Sequence, residues 1–295
     1  MLWGRLAALC LLMPACYAGP APDALTGGPA YVGSYTWPAA AHDLGGFSGL
    51  EVTEDGTGFT VISDRSGRIT GRFRRENGTI TGIEAGPPAP LTRPDGTPLT
   101  GWRGDSEGLA TGSDGTAYIS FEGDHRVWAY PDFDAATPLA RPEAFTRLQG
   151  NSGFEALAID AQGRLFAIPE RSGALSRPFP VWRYADGRWE QPFTLSRSGN
   201  FLPVGADFGP DGALYLLERT FTGLGFRTRI RRFTIDGDRV AKEETLLTTP
   251  LLRHDNLEGI AVWQDPTGAL RLTLVSDDNF RALQRTEFVE YRLPR

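Results

Sequence analysis

Apolar positions along this chain fall in short alternating runs broken by glycine, proline and aspartate rather than at helical spacing, a pattern that predicts strands and tight turns. Five stretches repeat one another: "SGLEVTEDGTGFTVISD" from Ser48, "EGLATGSDGTAYISFE" from Glu107, "EALAIDAQGRLFAIPE" from Glu155, "VGADFGPDGALYLLE" from Val204 and "EGIAVWQDPTGALRLTLVSD" from Glu258. Each opens on an apolar run, meets a glycine turn with Asp or Gln before it, and returns as a second strand rich in β-branched, aromatic or aliphatic residues. In the first four, the opening residue and the turn glycine (Gly56, Gly115, Gly163, Gly212) are eight residues apart, and such constancy marks a structural repeat.

A third strand follows each hairpin: "RITGRFRR", "RVWAYPD", "PVWRYAD", "RIRRFTI" and "EFVEYRL". A fourth follows in four cases, as "TITGIEA", "AFTRLQ", "RWEQPFTL" and "RVAKEETLL". The last copy runs out of chain, and "AYVGSYTW" near the N-terminus can supply its missing strand. The expected fold is therefore all-β, a β-propeller of four-stranded blades whose N-terminal strand closes the last blade. Strand counting gives five blades. Six is the alternative, if the stretch from Pro87 to Trp102 hides a blade; Pro87, Pro88, Pro90, Pro94 and Pro98 argue for a long loop instead.

Carboxylates recur where the first strand begins and the second ends, two places that meet at one face of a propeller. Glu107, Glu155 and Glu258 hold the opening position in the pattern Glu-small-aliphatic-Ala; in the first and fourth copies that position is Ser48 or Val204, and an acid comes three residues later as Glu51 or Asp207. Those two differ in strand parity from the opening glutamates and point elsewhere unless a bulge reorients them. Asp64, Glu122, Glu170, Glu218 and Asp277 end the second strands. So many acids at one channel mouth repel one another unless cations partner them. Arg65, Arg171 and Arg219 directly follow three of the closing acids, with Arg103, Arg126 and His254 nearby in sequence. Calcium, which takes six to eight oxygen ligands in irregular geometry, is the second candidate.

The rest of the composition mainly excludes. Net charge is -6, with Lys242 the lone lysine and no basic stripe, so nucleic acid is not an expected partner. His42, His125 and His254 are isolated, which disfavours zinc, and with no GxSxG a serine triad through Ser48, Ser106 or Ser152 is unsupported. Residues 1–18 read as a secretory signal, with Arg5, an apolar run from Leu6 to Met13, and small residues before a cleavage point after Ala18. The chain is thus expected to be exported, periplasmic or secreted, with no transmembrane segment in the mature form. Acylation at Cys16 is the lipoprotein alternative. Both cysteines, Cys10 and Cys16, lie in this segment.

Taken together, "GGFSGLEV…GFTVISDR", "DSEGLA", "FEGDHRVWAY", "GFEALAID…GRLFAIPER", "VGADFGPDGALYLLER" and "DNLEGIAVW…LTLVSDDNF" resemble the phytase-like family, also called esterase-like activity of phytase, over residues 31–295. The resemblance implies a β-propeller domain related in architecture to phytases that use calcium and acidic residues on phosphate esters. The resulting expectation is a monomeric, metal-dependent hydrolase of a small phosphate ester or related ester. Glu155, Glu107 and Glu258 are its candidate catalytic residues. Arg65, Arg171 and Arg219 are the candidate substrate-binding residues, and Glu107, Glu122, Glu155, Glu170, Glu258 and Asp277 the candidate calcium ligands. Two other readings stand beside it: a non-catalytic envelope propeller that binds a ligand or partner, and a lactonase-like metal propeller.

Overall fold

The structure, a computed structural model, describes residues 28–38, 45–148 and 153–294; residues 1–18, expected to be a secretory signal, both cysteines, His42 and Ser152 lie outside them. Twenty-one strands form five sheets. Blade 1 comprises β2 (Phe47–Val52), β3 (Gly58–Ser63), β4 (Gly67–Glu76) and β5 (Thr79–Ala85), with the two-residue β6 (Ala89–Pro90) added against β4. Blade 2 comprises β7 (Ser106–Thr111), β8 (Ala117–Phe121), β9 (Arg126–Tyr130) and β10 (Thr137–Pro138). Blade 3 runs β11 (Phe154–Ile159), β12 (Leu165–Pro169), β13 (Phe179–Ala185) and β14 (Arg188–Leu195). Blade 4 runs β15 (Leu202–Phe208), β16 (Leu214–Phe221), β17 (Phe226–Asp236) and β18 (Arg239–Thr248). Blade 5 holds β19 (Asn256–Gln264), β20 (Leu270–Asp277) and β21 (Glu287–Arg292), and the N-terminal β1 (Ala30–Thr36) pairs antiparallel with β21 to complete it.

Five blades are present, not six: the proline-rich stretch contributes only β6 and a single bridge between Thr92 and Pro98. One expected strand is corrected. "AFTRLQ" enters a 3-10 turn, Glu143–Arg147, that buries Phe145 against Phe154, Trp182 and Trp189, and the fourth strand of blade 2 is the short β10. Pro142 begins that turn, and the burial of one aromatic ring prevails over the strand propensity of its neighbours.

A blade has two apolar faces, so it is stable only between neighbours. Five apolar clusters meet that need, each spanning two adjacent blades. One of them crosses the closing seam, packing Phe47, Phe59 and Phe73 of the first blade against Trp37, Val275 and Phe288 of the last. Arg75 of β4 adds a bidentate pair to Glu290 of β21, at 2.7 and 2.8 Å, and Arg271 reaches the same carboxylate at 2.8 Å.

The turns joining first and second strands share one device. Asp55, Asp114, Asp160, Asp211 and Asp265 each accept the amide of the residue two positions on, at 2.9–3.3 Å, while the turn glycines take positive φ. These turns lie at the end of the channel opposite the strand openings.

Candidate functional site

β2, β7, β11, β15 and β19 line the channel, neighbouring one another around the ring. Each carries a β-bulge at its opening: between Phe47 and Gly49, Ser106 and Leu109, Phe154 and Ala156, Pro203 and Gly205, and Leu257 and Gly259. The residue left without a cross-strand partner is the opening position itself, Ser48, Glu155, Val204 or Glu258, with Glu107 in the wider bulge of β7. A bulge re-aims its side chain, and here it directs three glutamates into one mouth. The small residue that follows is required by close packing between inner strands. A Cβ on Gly108 would stand 2.6 Å from Leu157 Cβ, one on Gly49 2.9 Å from Leu109 Cβ, and one on Gly259 2.9 Å from Leu50 Cβ.

Below the mouth, Leu50, Leu109, Leu157, Ala206 and Ile260 close the channel, leaving space of only about 10 Å³, too little to pass a ligand. The channel thus has two separate ends, which corrects the placement of some acids. Glu51 and Asp207 face a cavity of about 690 Å³ at the far end, lined also by Thr111, Asp160, Arg164 and Trp263. There each bonds to the next blade: Glu51 accepts the Thr111 amide at 2.9 Å and Asp207 the Val262 amide at 2.6 Å. Burial and the Asp207 charge hold Glu51 well above the usual carboxylate range, and burial pushes Asp207 up to about 7.

Glu218 also leaves the mouth. It is fully buried (0% exposed), accepting from Arg229 Nε at 2.6 Å and from Arg231 Nε and Nη2 at 2.8 and 2.6 Å. The register explains why: Glu218 pairs with Pro203 as Ser63 pairs with Phe47, Phe121 with Ser106, Pro169 with Phe154 and Ser276 with Leu257. The closing position of blade 4 is therefore Arg219, equivalent to Asp64, Glu122, Glu170 and Asp277. A spacing signal was available, since Glu122 and Glu170 stand seven residues after their turn glycines and seven beyond Gly212 is Arg219.

Arg219 consequently stands inside the acidic ring. Its Nη1 lies 2.5 Å from Glu258 Oε1 and also bonds Asn256 Oδ1, and its Nη2 lies 3.9 Å from Glu170. Burial lowers its proton affinity, but Glu258, Glu155, Glu170 and Asp277 outweigh burial and leave it raised. Asn256 Nδ2 donates to Glu258 at 2.8 Å and reaches Asp277 at 3.3 Å. On the blade 2 side Asp105, Glu107 and Glu122 bring one carboxylate oxygen each within 4.8 Å of one another. Asp105 and Asn256 were not expected, yet both stand two residues before an opening glutamate, in "DSEG" and "NLEG".

Burial and crowding raise the proton affinity of seven acids here, Asp64, Asp105, Glu107, Glu122, Glu155, Glu258 and Asp277. Burial first, then Glu155, Asp105 and Glu258, keep Glu107 well above the usual carboxylate range. Burial and Glu170 do the same for Glu155, with Arg219 opposing. Glu258 is raised by burial against the pull of Arg219, and Asp105 by burial. Burial and neighbouring carboxylates push Asp64, Glu122 and Asp277 up to about 7.

The other nominated cations take the rim or leave. Arg171 is half exposed with its Nε 3.1 Å from Glu170, and Arg65 stacks over Phe280 at 3.3 Å from the ring centroid. Arg126 is buried between Phe121 and Trp128, donating to the Arg103 carbonyl at 2.5 Å. His254 Nε2 pairs with Tyr291 Oη at 2.6 Å, and burial pushes it down to about 4. Ser48 and Ser106 donate to main-chain carbonyls, at 2.6 and 2.5 Å, so neither is held by a base. Among the described residues no helix is long and apolar enough to cross a membrane.

A family model described as "Phytase-like: Esterase-like activity of phytase" matches residues 42–280. No curated protein matches the chain. Among solved structures, the PQQ-bound aldose sugar dehydrogenase of Streptomyces coelicolor is similar at 14% identity, covering 88% of this chain and 82% of that one, with a TM-score of 0.48. A luciferin-regenerating enzyme is similar at 12% identity over 89% and 96%, TM-score 0.47. A catalytically inactive virginiamycin B lyase from Staphylococcus aureus, with quinupristin, gives 14% over 89% and 75%, TM-score 0.43.

Proposed function

Since the chain belongs to the phytase-like family, we propose that it is an exported hydrolase of phosphate esters whose acidic mouth holds calcium. The observation that carries this reading is the convergence of Asp105, Glu107 and Glu122 oxygens within 4.8 Å beside the Glu155, Glu170, Glu258 and Asp277 carboxylates. The donor set fits the ion: every candidate is a hard oxygen, the irregular spread suits calcium rather than an octahedral magnesium site, and a divalent charge would offset the burial and repulsion that raise Glu107, Glu122, Glu155 and Asp277.

When bound, calcium supplies positive charge to substrate oxygens and acidifies a coordinated water. The protein's own groups divide the remaining work. Arg219, anchored on Glu258 and Asn256, holds the phosphoryl group through its free donor edge. Arg171 and Arg65 guide the anion at the rim, since guanidinium groups match phosphate geometry. Glu155 lies among Glu170, Glu258, Glu122 and Arg219, and its raised proton affinity suits it to carry a proton at neutral pH and give it to the departing alkoxide. Glu107 and Glu258 complete the catalytic set, one on the metal side and one on Arg219.

The test is calorimetric titration of calcium into metal-stripped protein, followed by turnover of p-nitrophenyl phosphate. Saturable binding lost in Glu107→Gln and Glu122→Gln, with turnover lost in Glu155→Gln, is the expected result. Absence of calcium binding sinks the metal assignment and favours the binding-propeller reading, in which Arg219 and shared protons are the acids' partners.

A further inference from the structure

Beside the acidic mouth lies a cavity of about 730 Å³, enclosed by loops of blades 4 and 5. Part of its wall is apolar: Phe221, Leu224 and Phe226 from the β16–β17 hairpin, Leu252 from the loop before β19, and Leu283 from the loop between β20 and β21. These side chains are left open to solvent to an unusual degree, with Leu283 99%, Leu224 80%, Leu252 65% and Phe221 62% exposed. Scattered exposed leucines need no explanation, but several converging from three separate loops on one concavity do.

Polar groups make up the rest of the lining, and most are already partnered: Gln284 donates to Asp255 at 3.1 Å and Arg285 pairs with Glu287 at 3.1 Å. Arg219 is the residue the cavity shares with the acidic mouth. His254 lines the cavity as a neutral imidazole tied to Tyr291 Oη at 2.6 Å. Asp255 is consumed by the amides of Asn256 and Arg285, at 2.9 and 3.0 Å. Arg281, on the rim, is tied through its main chain to the Asp278 carbonyl at 2.8 Å and the Gln284 amide at 3.0 Å, and among the described residues its guanidinium makes no hydrogen bond or ion pair. A ligand here therefore meets hydrocarbon from Phe221, Leu224, Leu252 and Leu283, and guanidinium charge from Arg219 at the mouth and Arg281 at the rim. The volume is that of an ordinary small-molecule site.

We propose that this cavity is the subsite for an apolar group of the substrate, so that the ester taken by the mouth is a monoester of an aryl or medium-length alkyl alcohol, its anionic centre at Arg219 and its hydrocarbon between Leu224, Leu252 and Leu283. The proposal rests on the hydrolase reading of the mouth and narrows it. A densely charged polyphosphate finds Arg219 and Arg281 but leaves the leucines uncovered, whereas an aryl phosphate pairs charge with Arg219 and ring with Phe221 and Leu252.

The experiment compares 1-naphthyl phosphate, inorganic phosphate and inositol hexakisphosphate on the calcium-loaded full-length protein, by fluorescence or calorimetric binding and by turnover. Naphthyl phosphate should bind at least tenfold more tightly than inorganic phosphate. Leu224→Asp and Leu283→Asp, at exposed positions where the fold tolerates charge, should each lower that ratio at least fivefold. Equal affinity for the two phosphates, or a ratio untouched in both variants, overturns the subsite. Binding sensitive to these leucines without hydrolysis keeps the subsite and removes the hydrolase reading; hydrolysis insensitive to them does the reverse. A concentration-dependent dimer broken by Leu283→Asp, without naphthyl preference, would assign the face to a second copy of the chain and overturn the proposal.

Discussion

Asp277→Asn should stabilise the metal-free protein more at pH 8 than at pH 5.5, by about 2 kcal/mol. Asp277 is buried in the mouth, where burial and the Glu258 charge push its carboxyl from 3.8 to about 7. The sign follows from proton linkage. Between those two values the folded chain holds the proton and the unfolded chain does not, so wild-type stability rises as pH falls through about 7 and this gain is absent above it. Asparagine does not titrate. From pH 8 down to 5.5, wild type therefore gains about 1.4 kcal/mol for each pH unit below 7 that the variant does not gain, or about 2 kcal/mol. Unfolding entropy of about 2.1 cal/mol/K per residue over 295 residues turns this into about 3 °C in Tm. The amide keeps an acceptor for the Asn279 N–H at 2.6 Å; the 3.3 Å contact from Asn256 is lost at both pH values and cancels. Thermal unfolding of both proteins in chelator at the two pH values measures the difference, and comparing them also cancels the opposing proton uptake of His254, which burial holds down near 4. A Tm difference that is unchanged between pH 8 and pH 5.5, or larger at pH 5.5, refutes the argument that crowded carboxylates strain the empty mouth.

Glu218→Gln should cost about 3–5 kcal/mol, because Arg229 and Arg231 lose a buried counter-charge; a Tm about 5–8 °C lower with calcium affinity unaltered is the expected outcome, and weakened calcium binding would return Glu218 to the mouth. Arg219→Gln removes a cation from inside the ring, so calcium should bind on the order of tenfold more tightly while phosphate-ester turnover falls; weaker calcium binding on titration would contradict the placement. Gly108→Ala should destabilise by about 1–3 kcal/mol in a denaturant titration, since the new Cβ meets Leu157 Cβ at 2.6 Å and its backbone nitrogen at 2.9 Å. An unchanged unfolding midpoint would show that the inner strands are not as close as described.

Much of the architecture was legible along the chain. The eight-residue spacing from opening residue to turn glycine exposed the repeat, the missing last strand exposed the closure by "AYVGSYTW", and five prolines identified the loop after blade 1. These are local signals, because hairpin geometry and proline's missing donor act within a few residues. The side on which each acid stands was not local. Glu51 and Asp207 lie beyond a bulge and a plug of Leu50, Leu109, Leu157, Ala206 and Ile260 that only the assembled ring creates. A one-residue difference in strand register sent Glu218 into a buried arginine pair and brought Arg219 into the mouth, since side chains alternate faces with every residue. The apolar cavity could be read from no single segment, because its leucines come from loops brought together by two neighbouring blades. Sequence by itself therefore determined the repeat, the blade count and which residue types crowd the strand ends; tertiary structure decided which of them face one another, because strand register and blade neighbours, not spacing along the chain, set where each charge meets its partner.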